Sequence, residues 1–189
     1  MIVLNYSLYK YGGEISISIF GIINRVMMFA LFPIMGITQG FLPIAGYNYG
    51  ARKYDRVKET IQKAIVYGCV VAGFVYIMIL VFAKEIISVF STDTTLLEAT
   101  PRAMLLVFLA SPIIAIQLIG SAYFQAAGKA LPALFLTLLK QGFFLIPLAY
   151  ILPMYYGVDG VWYSFAIGDI LATMITYIVV RREIKKNLQ

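Results

Sequence analysis

Histidine is missing altogether from this 189-residue sequence, which excludes a histidine acid–base catalyst, a histidine proton relay and a histidine metal site. The one cysteine, Cys69, excludes an intrachain disulfide framework and a multi-cysteine zinc site. Charge is sparse: 13% of residues are Asp, Glu, Lys or Arg, about half the share of a soluble domain. No glycine pattern of the P-loop or GxGxxG type is present. What remains is apolar, 61% of the chain, with a mean hydropathy of +0.87. A soluble domain of this length has too much surface to hide that share. The chain is therefore expected to sit in a membrane, with lipid as a partner, and to be neither an enzyme nor a holder of a cofactor or metal. Its net charge of +6 reads as loops facing the cytoplasm and not as a nucleic-acid surface. Met1–Tyr9 is apolar, lacks a basic leader and is too short to span a bilayer, so it is not read as a cleavable signal.

A hydrocarbon core of about 30 Å needs roughly 20 helical residues. Runs of that length with almost no charge lie at 15–45, 61–83, 103–128, 131–153 and 161–180, and 1–9 resembles the end of a further span. Apolar residues surround each run instead of forming one stripe, as in lipid-embedded helices. The ten-residue alternation of barrel strands is absent. The expected fold class is an all-α polytopic membrane protein, with residues 1–189 as a single unit. If five spans alternate, ten basic residues fall on one side, among them Arg52, Lys53, Lys129, Arg181 and Lys185. The other side receives only Lys10, Lys84 and Arg102. That asymmetry puts the basic loops and the C-terminus in the cytoplasm of a multi-pass protein of the cell membrane. Pro101 is expected in the first turn of its helix, and Gly12, Gly13, Gly157 and Gly160 are expected at turns.

Charged and polar side chains inside hydrocarbon are expensive, so their placement is informative. Arg25, Lys140 and Asp169 lie eleven, nine and eight residues beyond Glu14, Leu131 and Val161, roughly 12–16 Å into their spans. Lys140 and Asp169 sit on consecutive antiparallel helices at comparable depth. They read either as a structural ion pair or as a titratable, substrate-facing carboxylate tuned by its neighbour. Polar stripes recur at helical spacing: Asn24 to Gln39; Gln117, Ser121 and Gln125; Thr137 and Gln141; Asp169, Thr173 and Thr176. They read either as interhelical hydrogen bonds or as the lining of a polar cavity suited, with its methionines and aromatics, to amphipathic ligands. Pro33, Pro43, Pro112, Pro132 and Pro147 mark kinks that serve either bundle geometry or hinges for alternating access.

The stretch from Gly36 to Arg52, GITQGFLPIAGYNYGAR, carries Gln39, Gly40 and Pro43, then Gly46, Asn48 and Gly50. It resembles a signature of the MATE (multidrug and toxic compound extrusion) transporters, most of all their MepA-like branch. Asn24–Met28 and Phe124–Lys129 resemble that branch more weakly. The resemblance implies a twelve-helix antiporter of two lobes, of which this chain is the C-terminal lobe: five full helices and a stub. The motif would end a helix at the cytoplasmic face. The implied activity is export of amphipathic drugs or toxic compounds by alternating access, coupled to protons or sodium, with the missing N-terminal lobe as partner. Asn24, Arg25, Gln39, Gln117, Ser121, Gln125, Lys140, Gln141, Asp169 and Thr173 are the candidate substrate or ion pathway. Asp169 is the sole carboxylate expected within the membrane and matches no coupling site of the family. Two bases against one acid leave open a flippase for an anionic lipid-linked precursor. A non-transporting truncated fragment is the remaining alternative.

Overall fold

The computed structural model describes residues 2–187; Met1, Leu188 and Gln189, the ends of the expected unit 1–189, lie outside the described residues. Every regular element among the described residues is helical: α1 (Ile2–Gly50), α2 (Tyr54–Val81), α3 (Ala83–Ser88), α4 (Thr94–Phe108), α5 (Ile114–Ala126), α6 (Ala130–Leu138), α7 (Ile146–Ile151), α8 (Pro153–Tyr156) and α9 (Val158–Asn187). A 3₁₀ turn, Ser111–Ile113, joins α4 to α5, and a π-helical stretch, Leu139–Leu145, joins α6 to α7. The result is five rods long and apolar enough to cross a membrane: 2–50, 54–81, 94–126, 130–156 and 158–187. Lipid can hydrogen-bond no backbone, and helices satisfy theirs internally. Outward-facing apolar side chains such as Val66, Val70, Phe74 and Ile77 on α2 suit contact with acyl chains.

The first rod is two limbs, not one. Gly13 has φ 68 and ψ −167, a backbone open to glycine and costly for other residues. Ile2, Val3 and Leu4 line the same groove as Asn24, Met27 and Leu31. A straight helix would hold Ile2 and Asn24 roughly 33 Å apart. The chain therefore reverses at Gly13, and residues 2–12 pack back along the limb that follows. Leu4 and Leu8 are buried there with Ile19, Phe20 and Ile23.

Helix ends depart from the expected spans because a helix does not stop where hydrocarbon does. The limb expected at 15–45 continues to Gly50, and the helix expected at 161–180 continues to Asn187. Thr94, capped by the Asp93 side chain accepting from Thr95 N at 2.8 Å, starts the rod expected at 103. Pro101 consequently lies inside α4 and not in its first turn. Pro112 instead falls where the rod tightens into its 3₁₀ turn, since proline has no N–H for the helical ladder. Pro147 follows the π stretch in the same way.

The connections alternate between two ends. At one end Tyr49 packs on Tyr54 and Tyr123, with ring centroids 6.0 and 6.4 Å apart, and Lys129 pairs with Glu183. At the other, Arg102 pairs with Asp159 at 2.6 Å. Apolar clusters fill both ends, one around Leu8, Ile23, Met104 and Trp162, the other around Ile61, Ile119, Tyr123 and Leu136. Between them a smaller cluster of Ile34, Ala72, Ile114 and Ala115 leaves room at mid-height for polar groups.

Helices α5 and α9 run side by side in the same direction, in contact at Gly120. A Cβ at Gly120 would overlap the Thr176 methyl and come within 3.0 Å of Val180 Cγ2. Gly73 on α2 has nothing within 4 Å of such a Cβ. Gly120→Ala should lower the thermal unfolding midpoint in detergent, because overpacking costs about 1–3 kcal/mol. Gly73→Ala should leave it unchanged or raise it, since alanine is the better helix former.

Candidate functional site

The mid-height gap holds an ion pair. Helix α9 carries Asp169 inward, 5% exposed, and the π-helical stretch carries Lys140 against it. Lys140 Nζ lies 2.6 Å from Asp169 Oδ1. At that distance the ammonium and the carboxylate oxygen form a charge-assisted contact across two helices.

Lys140 separates two spaces. Behind it, a cavity of about 30 Å³ is lined by Asp169, Ser111, Phe108, Ile34 and their neighbours. That volume exceeds the roughly 10–15 Å³ a water needs. Ser111 Oγ is buried there with no hydrogen-bond partner among the described residues. In front, a groove of about 600 Å³ runs between the two limbs of α1 and the π stretch. Its apolar wall includes Met27, Leu31, Leu145, Ile146 and Phe165; Asn24, Lys140 and Gln141 are its polar groups. Among the described residues no three His, Cys, Asp or Glu side chains gather as a metal cage.

The expected pathway residues therefore divide. Asn24, Lys140, Gln141 and Asp169 come together at the groove and its rear wall. Arg25 is exposed beside Asn24 but does not line the groove, and Gln39 is exposed further along the limb. Gln117 and Thr173 are buried in the core, each with an oxygen that finds no partner among the described residues. The Gly120–Thr176 contact puts them at one level between α5 and α9. Ser121 bonds Thr137 across helices, Oγ to Oγ1 at 2.7 Å. Gln125 is exposed at the basic end, so it does not continue the inward face of Gln117 and Ser121. The polar stripes thus serve three surroundings: groove, buried core and surface.

The motif ends its helix through the backbone. Asn48 is buried; its Nδ2 donates to Ile44 O at 2.8 Å, and its carbonyl accepts from Lys53 N at 2.9 Å. Gly46 would bring a Cβ within 3.4 Å of Ala126 O, so it lets the next connection sit close. Gln39, Gly40, Pro43 and Gly50 are exposed. Two features escaped the sequence reading. Ser111 was hidden in an unremarkable Ser-Pro pair. Glu183, in a basic run, accepts from Lys129 Nζ and from Tyr123 Oη at 3.4 Å.

A family model for MatE matches residues 1–151. This chain belongs to the MATE family. It is 27% identical over 179 residues to the multidrug export protein MepA of Staphylococcus haemolyticus (strain JCSC1435), covering 95% of this chain and 39% of that protein. Against MepA of Staphylococcus aureus (strain N315) it is 29% identical over 181 residues, again covering 95% and 39%. An outward-facing multidrug resistance MATE transporter of the MOP superfamily superposes with a TM-score of 0.93 at 24% identity, covering 98% of this chain and 42% of that one. An inward-facing one gives 0.92 at 23% identity, covering 97% and 43%. The fold is thus a partial lobe of a MATE transporter, and the chain spans about two fifths of the length of the curated relatives it matches.

Two predictions follow from the pairs. Lys140→Met strands a buried carboxylate and should destabilise the protein in detergent by about 3–5 kcal/mol, whereas Lys140→Met/Asp169→Asn should recover most of that loss. At the basic end, the hydrogen bond to Glu183 holds the Lys129 ammonium above the ordinary lysine range. Its stabilisation is complete below the ordinary lysine value and drains away as pH climbs through the raised one. Unfolding midpoints measured across the alkaline range should show this loss in the native chain, and Glu183→Gln should flatten it.

Proposed function

We propose that this chain forms the C-terminal lobe of a proton- or sodium-coupled antiporter that exports amphipathic drugs by alternating access. The observation that carries the reading is the groove, an apolar wall with three polar groups, Asn24, Gln141 and the Lys140 ammonium, the last neutralised by a buried carboxylate. An amphipathic ligand would lay its apolar body on Met27, Leu31 and Phe165 and its polar part on Asn24 and Gln141. Asp169 can hold Lys140 only while it is ionised. Protonation, or sodium taking the place of the ammonium, would free Lys140 toward the groove and link ion binding to the ligand space.

Near-equal likeness to outward- and inward-facing relatives supports a lobe that moves as a rigid body against its N-terminal partner. The basic end, with the C-terminus, faces the cytoplasm of the cell membrane in this reading. A second reading rests on one fact: the charge that lines the groove is an ammonium. That polarity suits a flippase for an anionic lipid-linked precursor.

The test reconstitutes the chain with an N-terminal lobe in vesicles and follows a cationic dye under imposed proton or sodium gradients. Ion-driven efflux is expected, and Asp169→Asn should reduce it at least tenfold while membrane insertion is retained. Unchanged efflux in that variant removes the coupling role and leaves the ion pair structural. Movement of an anionic lipid in place of dye would favour the flippase. The chain alone should build no gradient, because one wall of the cleft is absent; a gradient from it alone would overturn the lobe reading.

A further inference from the structure

The apolar run of α9 ends at Val180, and Arg181, Arg182 and Lys185 follow at the level where the helix leaves hydrocarbon. A groove of about 320 Å³ opens beside them, between α2 and α9. Ile61 and Ile65 form one wall, Val180 and Ile184 the other, and Ile116 of α5 the floor. Gln62, Tyr177, Arg181 and Lys185 make its rim. Tyr177, Arg181 and Lys185, spaced by four, form a ridge that also borders a second hollow of about 340 Å³ holding Arg182. The Arg181 guanidinium stands 6.0 Å over the Tyr177 ring. The nearby acid, Glu183, is turned the other way, toward Lys129.

Depth matches chemistry here. Because Gly120 packs on Thr176, Ile116 lies level with Ala172. From Ala172 to Lys185 the helix rises roughly 20 Å, a little more than the ~15 Å of hydrocarbon in one leaflet. The groove is thus apolar along one leaflet's depth and cationic at headgroup height. Arginine binds phosphate through paired hydrogen bonds, tyrosine favours the headgroup level, and basic pockets between membrane helices take anionic headgroups.

We propose that this groove binds an anionic phospholipid, with an acyl chain along Ile61, Ile65 and Ile116 and the phosphate held by Arg181 and Lys185. A zwitterionic lipid brings its own cation to the rim and binds less well. The test is native mass spectrometry of the detergent-purified 189-residue chain, titrated with phosphatidylglycerol and phosphatidylcholine of identical acyl chains. Phosphatidylglycerol adducts should be favoured roughly tenfold. Arg181→Gln/Lys185→Gln should bring the two lipids to parity. Lys53→Gln/Arg56→Gln, which removes equal charge at the same end but away from the groove, should keep the preference. Excess inorganic phosphate should leave the bound lipid in place. Equal loss in both double variants would reduce the effect to general attraction, and displacement by phosphate would reduce it to a free-anion site. Parity in the native chain would overturn the proposal outright.

Discussion

Hydrocarbon offers the peptide backbone no hydrogen-bond partner, so each span must close its own ladder or find substitutes inside the protein. In this chain most of the backbone obeys by being helical. The departures fall at the Gly13 reversal, the 3₁₀ turn at Pro112 and the π stretch from Leu139 to Leu145. The last two border the groove and the cavity behind it, and the Gly13 reversal lies at the end of the bundle where Gly12 meets Val158. Residues 2–12 fold back at Gly13 to form one side of the groove. The π stretch presents Lys140 and Gln141 on the other, and the 3₁₀ turn places Ser111 beside Asp169. Irregular backbone and polar side chains share one mid-height region because each needs the other's company away from lipid.

The Lys140–Asp169 pair makes that region stable and sensitive at once. Two ions cannot be taken out of water cheaply, and their attraction offsets the cost only while both are charged and close. In the proposed cycle, a groove whose ammonium depends on a hidden carboxylate would change character when that carboxylate changes state. The apolar clusters at the two ends hold the helices in register around it.

Much of this was legible in residue order. Run lengths marked the rods, and basic residues marked one end. Lys140 and Asp169 showed their common depth because short turns make neighbouring helices antiparallel. Asn48 and Gly46 stood out through a family signature, and the structure supplies the reason in a carbonyl contact and a close backbone approach. Rotation about each helix axis was hidden. A helix apolar all round has no amphipathic stripe to say which side faces inward, so Gln117 in the core and Gln125 at the surface looked alike.

Sequence by itself determined the solvent and the number of rods, because transfer of charge into hydrocarbon costs so much that uncharged run length alone decides them. Apart from the Lys140–Asp169 pair, tertiary structure alone decided which polar groups meet. Lys129 with Glu183 and Arg181 with the α2 wall are joined by packing between helices distant in the chain, and Ser121 meets Thr137 through the rotation of two consecutive helices. That packing depends on side-chain shape at contacts such as Gly120 against Thr176, which leaves no periodic signal in the order of residues.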